Sequence, residues 1–126
     1  MIQQQTILKI IDNSGAKTVK CIKVLGGFKK KVSKLGEVIV VSVQQLRNRF
    51  KNKSKVRKGE IYKALIVKTK IGVVKKSGYK ETFTENSAIL INKSGNPVGT
   101  RIIGPLTKNL KLKKNNKFIS ISSGLV

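Results

Sequence analysis

Histidine and tryptophan are absent from this 126-residue chain, cysteine occurs once, and acidic side chains number five. Each shortage removes a class of function. Without imidazole there is no histidine general base and no histidine-ligated metal. Cys21 alone cannot complete a zinc site, and as a nucleophile it would need a partnering base. A lone cysteine also excludes an intramolecular disulfide, which suits a reducing compartment. Placed among Val19, Ile22 and Val24, it is expected to be a small buried hydrophobe. The acids Asp12, Glu37, Glu60, Glu81 and Glu85 are scattered, with no close pair for acid–base work. Asp12 reads as a turn former, and Glu37 and Glu60 each follow a glycine at a strand start. The glycines form no phosphate-loop pattern. Neither catalysis nor a metal or cofactor is expected.

Long apolar runs are missing as well, and nothing approaches the roughly 18 residues of a membrane span. The opening MIQQQTILKIID has no basic region followed by a small-residue cleavage site, and no Arg-rich amphipathic character. The protein is therefore expected to act where it is made. Aromatics make up only 5% of the chain. The core must then be aliphatic, and a stacking platform for single strands is not expected.

What is present is positive charge: 28 Lys and Arg against 5 acids, a net +23 with a pI near 10.6. Such an excess repels itself unless a polyanion neutralises it, and nucleic acid is the expected one. An anionic membrane surface or a glycosaminoglycan is the competing choice. An extracellular polyanion-binding effector is disfavoured by the missing signal and disulfides. Most of the cations are lysine, which favours backbone neutralisation over bidentate base reading. No helix is long enough to serve as a DNA recognition helix, so folded RNA is favoured.

The charge has a pattern. Arg47, Arg49, Lys51, Lys53, Lys55 and Arg57 recur at every second residue, closed by Lys58, with no acid between them. A period of two is that of an extended strand, so a β-ribbon with its cations on one face is expected. A solvated, disordered basic loop is the alternative. Two further basic clusters, Lys29–Lys34 and Lys108–Lys117, also fall in expected loops.

Along the chain, Gln5–Ile11 and Thr18–Leu25 read as strands around an Asp12-Asn13-Ser14-Gly15-Ala16 turn. Gly36 opens EVIVVSVQQL, a continuous apolar strand of a barrel or a doubly covered sheet. Glu60–Lys70 is a strand with Ala64-Leu65-Ile66-Val67 as its buried middle. Ile71–Phe83 reads as a hairpin about Ser77-Gly78, and Ser87–Asn92 as a short strand before a Lys93–Pro97 turn. Gly104-Pro105 offers a helix start, with Leu106, Leu110 and Leu112 as its stripe. The terminal KFISISSGLV alternates like an edge strand. About five or six short strands and one small late helix predict a single all-β barrel domain over residues 1–126.

Several segments carry a resemblance along essentially the whole chain. They are MIQQQT, Asp12–Ala16, Cys21-Ile22-Lys23-Val24-Leu25-Gly26-Gly27, Val56-Arg57-Lys58-Gly59-Glu60 and Lys63–Lys70. They continue with Gly78, Phe83, Asn86, Ile89-Leu90-Ile91-Asn92 and Pro97-Val98-Gly99-Thr100-Arg101-Ile102-Ile103-Gly104-Pro105. In this order and spacing the chain resembles the universal large-subunit ribosomal protein numbered fourteen.

The resemblance implies a small closed five-stranded antiparallel β-barrel with short C-terminal helices, bound to large-subunit rRNA at the subunit interface. It implies a bridge to small-subunit rRNA and contacts with large-subunit proteins three and nineteen. It also implies a surface for a ribosome silencing factor, carried onto Thr100, Arg101 and Lys117. Recruiting such a factor as the main role is the second reading. The expected rRNA-binding residues are Lys17, Lys23, Lys29, Lys30, Lys31, Lys34, Arg47, Arg49, Lys51, Lys53, Lys55, Arg57, Lys58, Lys68, Lys70, Lys75 and Lys76. Two departures stand out. The Gly36–Gly59 segment is a few residues longer than the usual bacterial form and lacks its Ile-Pro-Arg-Gly turn. Lys113–Lys117 replaces a more mixed helical stretch. With the Lys-, Ile- and Asn-rich composition, these point to a mitochondrial ribosome, with plastid and bacterial origins as alternatives.

Overall fold

The computed structural model describes residues 1–50, 53–110 and 115–126, without the side chain of Phe50. Strands β1 (Ile7–Ile10), β2 (Ala16–Val24), β3 (Val38–Leu46) and β4 (Ile61–Lys68) follow one another round a barrel. The chain then leaves the wall for a hairpin of β5 (Val73–Val74) and β6 (Lys80–Glu81) before β7 (Ser87–Ile91) closes it. The closed five-stranded barrel is as expected. One detail corrects the expectation of an all-antiparallel wall: β1 and β7 pair in parallel, Lys9 opposite Ser87. The cause is arithmetic. Strands that alternate in direction cannot do so all the way round an odd-numbered ring.

Alternation along the strands builds the lumen. Leu8 and Ile10 of β1, and Ile39, Val41 and Val43 of β3, point inward and are essentially inaccessible. The regular alternation fails in β2, where the pairing with β3 shifts between Cys21 and Lys23. An extra residue there turns both Ile22 and Lys23 outward and coils the strand, the bending a small barrel needs. Cys21 stays inside at 1% exposure, and burial pushes its thiol up from the ordinary value.

Strands β4 and β7 differ from the rest because both of their faces are buried. Ala64, Ile66, Ala88 and Leu90 face the lumen, while Leu65, Val67, Ile89 and Ile91 face a second apolar cluster outside the wall. The C-terminal segment supplies the other half of that cluster through Ile102, Leu106, Leu110 and Phe118. At about 25 cal/mol per Å² of apolar surface removed from water, each such side chain contributes on the order of 2 kcal/mol.

This outer cluster overturns two expectations near the C-terminus. No helix starts at Pro105. Leu106 lies extended against the tail instead, its amide donating to Gly124 O at 3.0 Å and its carbonyl accepting from Val126 N at 2.8 Å. Only a 3-10 turn, Lys108–Leu110, follows, and Leu112 lies outside the described residues. In the terminal stretch expected as an edge strand, Asn116–Ser120 instead forms helix α1. Its turn brings Phe118 and Ile121 onto one side, against the outside of β4 and β7. Only the bridges Ile102–Ser122 and Leu106–Leu125 remain of the expected strand.

Candidate nucleic-acid interface

The five acids determine which cations stay free. Asp12 is fully buried in the turn between β1 and β2. One of its oxygens accepts hydrogen bonds from the amide and hydroxyl of Ser14, the other from the Leu90 amide at 3.2 Å. Burial pushes its carboxyl above the usual aspartate value, against these bonds and the nearby Arg47 charge, which pull it down. It is thus a turn former, as expected, and also a staple from that turn to β7.

Partial burial pushes the Glu37 carboxyl up, but bonds from Lys30 Nζ at 2.6 Å and the Lys34 amide at 2.8 Å outweigh it. Its pKa therefore lies below the ordinary glutamate value. Glu60 accepts from Tyr62 O–H at 2.7 Å and from the Arg57 amide at 3.1 Å, and both hold its pKa down. Partial burial, with Glu60 as acceptor, raises the Tyr62 phenol to about 12. Glu81 is held low by Lys75 and also accepts from the Thr107 hydroxyl, tying the β5–β6 hairpin to the C-terminal segment. Glu85 is held low by Lys9 at 2.6 Å. Every acid is engaged within the fold. Among the described residues, only Lys9, Lys30 and Lys75 have a carboxylate partner.

The segment from Arg47 to Lys58 is not a ribbon in its described residues. A 3-10 turn, Asn48–Phe50, starts it, and turns and bends follow from Lys53 to Gly59; Lys51 and Asn52 lie outside the described residues. The period of two failed because three of its residues are recruited by the barrel. Arg47 donates from its amide to Gly15 O at 2.9 Å and from its guanidinium to Ile10 O at 2.8 Å. The Lys55 amide donates to Ser14 O at 3.1 Å. Val56, which falls between Lys55 and Arg57 in the alternating row, is fully buried in the barrel core. Around these anchors the side chains of Arg49, Lys53, Lys55, Arg57 and Lys58 remain exposed.

Folding brings part of this segment together with residues distant in sequence. Lys17 of β2, Arg47 and Lys58 line one cleft of about 1010 Å³, joined by Lys9, Gln44, Gln45 and Asn48. The sequence reading missed Lys9 and the amides. Exposed alternate positions on β1 and β3 were the only signal for them, and that signal needs the pairing register to be useful.

The other expected residues are spread over the surface. Lys23, Lys31, Lys34, Lys70 and Lys76 are exposed, and Lys29 sits on an exposed loop beside Phe28. Lys68 is half-buried, its ammonium 5.5 Å from the centre of the Phe83 ring.

Thr100 and Arg101 are held by Asn13, the second residue of the same turn. Its side-chain oxygen accepts from the Thr100 amide at 2.7 Å and the Arg101 amide at 3.2 Å, and its amide nitrogen donates to Thr100 Oγ1 at 2.7 Å. Gly99 is required beside it: a methyl group there would lie 2.8 Å from Asn13 Oδ1 and 2.9 Å from Asp12 Cβ. Both side chains of the pair remain exposed. Lys117 of α1 reaches back to Asn96 Oδ1 at 2.6 Å, in the turn that leads into this corner.

A closed five-stranded barrel, its acids turned to internal contacts and its cations outward, is the frame in which one comparison becomes decisive. Residues 1–126, the whole chain, match the family model described as Ribosomal protein L14p/L23e, and the chain belongs to that family of large-subunit ribosomal proteins.

Proposed function

We propose that this protein holds its place in the large subunit by neutralising rRNA phosphates with the exposed cations of the Lys29–Lys34 loop, the Arg49–Lys58 segment and the cleft lined by Lys17 and Lys58. The observation that supports this most is the disposal of the acids. Five carboxylates are engaged internally, and among the described residues most cations are left with no carboxylate partner. A surface so arranged gains most from a dense, folded line of negative charge. Arg47, Lys9, Lys30 and Lys75 act mainly as internal struts, given their bonds to Ile10, Glu85, Glu37 and Glu81. The other cations named from the sequence, including Lys23, Lys68, Lys70 and Lys76, would add peripheral phosphate contacts.

The Thr100–Arg101 corner with Lys117 is proposed as a protein-facing surface, for a silencing factor that prevents subunit joining. Its support is geometric: Asn13 holds the Thr100–Arg101 backbone while both side chains stay exposed. The bridge to small-subunit rRNA and the contacts with large-subunit proteins three and nineteen are proposed on family resemblance. The composition supports a mitochondrial ribosome.

Sedimentation tests the main reading. The chain should travel with large subunits in moderate salt, and release should rise steeply with ionic strength. A chain found only in the unbound pool at low salt would refute it. For the second surface, Arg101→Ala should leave subunit incorporation intact and abolish factor capture.

A further inference from the structure

Phe28 is 92% exposed, more than any other large apolar side chain among the described residues. It sits in the Gly26-Gly27-Phe28-Lys29-Lys30-Lys31 loop, which is held at its far end from two sides. Ile2 and Ser33 exchange backbone hydrogen bonds at 2.9 and 2.7 Å, joining the N-terminal turn to the loop's far end. Glu37 binds both Lys30 Nζ and the Lys34 amide. The N-terminal turn is in its own right tied to β2, the Gln5 amide donating to Cys21 O at 2.7 Å. The exposure is therefore not that of a loose end.

Two further features converge here. Gln5 (φ 67°) and Lys29 (φ 52°) are the two non-glycine residues in the left-handed backbone region among the described residues, a conformation that L-residues hold only when their surroundings enforce it. Gln3, Gln4 and Gln5, with Lys30 and Lys31, line an open cleft of about 410 Å³ beside the same loop. Lys29 Nζ stands 5.5 Å from the centre of the Phe28 ring. An exposed phenyl next to lysines and amide side chains has the chemistry to meet a nucleobase with its face, phosphates with the ammoniums, and base edges with the amides. A protein partner is the less suitable occupant, because the only acid at the loop, Glu37, already takes Lys30 and leaves Lys29, Lys31 and Lys34 without one.

We propose that Phe28 is a stacking wedge that seats an unpaired base of folded large-subunit rRNA against the Lys29–Lys34 loop. This rests on the rRNA reading above and adds to it a contact that reads a base face rather than backbone charge. It is one aromatic contact, not the stacking platform excluded by composition.

The test uses the full chain and its own large-subunit rRNA stripped of protein. The chain has no native tryptophan, so Phe28→Trp places a single reporter at the tip, and RNA should quench its emission. Phe28→Ala and Phe28→Leu should each weaken binding by about 5- to 100-fold with the salt slope unchanged, while Phe28→Tyr and Phe28→Trp retain affinity. The core does not contain Phe28, so these variants should fold. Wild-type affinity in Phe28→Leu, or an unquenched reporter, would overturn the wedge. So would a Phe28→Ala protein that binds RNA normally but fails to retain a neighbouring protein in the subunit. If the wild-type chain itself does not bind the stripped RNA, the rRNA reading falls first and the wedge with it.

Discussion

The corner Asp12–Gly15 and the segment Arg47–Lys58 touch each other, yet they use polar residues in opposite ways. In the corner, the polar side chains bond within the fold: Asp12 to the Ser14 and Leu90 amides, Ser14 through its hydroxyl to Asp12, and Asn13 to the Thr100 and Arg101 amides. In the segment, the backbone, one valine and the Arg47 guanidinium are turned inward, onto Gly15, Ser14, the core and Ile10 O, and the other described cations are left outside. The corner is where one carboxylate and one amide determine the local geometry. The segment borrows its geometry from the corner and contributes charge. Placement of a charged surface therefore depends on a fully bonded turn beneath it.

Removing the corner's centre is the most damaging way to break this contrast. Asp12→Ala leaves the buried Leu90 and Ser14 amides without their acceptor, and the expected loss is about 3 kcal/mol. Thermal unfolding should show a midpoint lower by roughly 10 °C; a drop of a degree or two would mean that Asp12 is not a staple. Next in size is Val56→Ala, which removes two methyl groups from the core and should cost about 2 kcal/mol by denaturant titration. Should it cost nothing, the segment is not anchored where Val56 sits.

Asn13→Ala is expected to lose about 1–2 kcal/mol and to loosen Thr100 and Arg101. Amide exchange at 100 and 101 should speed up while the β4 and β7 amides stay protected. The smallest effect on stability sharpens the comparison from the other side. Replacing Arg49, Lys53 and Lys55 together with Gln should change stability by less than about 0.5 kcal/mol. The same triple variant should lower the salt slope of rRNA binding by about 0.7–0.9 for each phosphate that is no longer neutralised. An unchanged slope would mean these cations meet no phosphate.

Acid titration separates the two kinds of carboxylate. Glu37, Glu60, Glu81 and Glu85 have folded pKa values below their ordinary ones. Their contribution is present above the unfolded value and is lost as pH falls through the folded one. Asp12 is shifted the other way, so its contribution is present below the unfolded value and fades as pH rises through the folded one. Asp12→Asn removes that opposing trend. Over about pH 3 to 6 its stability should fall more steeply on acidification than that of the wild type. Parallel profiles for the two proteins would show that Asp12 is not shifted upward.

Much of the barrel was legible from local chemistry. The Asp-Asn-Ser-Gly turn, the strands over Gln5–Ile11 and EVIVVSVQQL, the Ser77-Gly78 hairpin tip and the buried Ala64–Val67 run all express backbone and burial preferences that act over a few residues. The errors fall where a distant element decides. Pro105 and Leu106 carry a plausible helix signal, but the tail at Gly124–Val126 satisfies the Leu106 backbone in an extended form. The terminal FISI alternates like a strand, yet an apolar surface on β4 and β7 rewards a helical turn that brings Phe118 and Ile121 to one side.

The candidate interface divides along the same line. That this chain carries an excess of positive charge, lacks the groups for catalysis by histidine or by paired acids, and belongs to an aliphatic barrel was determined by its composition and local patterns alone. Which cations are free, and that Arg47 and Val56 serve the core while Arg49 and Lys53 face outward, only the tertiary structure decided. The reason is physical. Net charge and periodicity are sums over neighbours in sequence, whereas an ion pair, a buried carboxylate or an exposed Phe28 depends on what another part of the chain brings within a few ångströms.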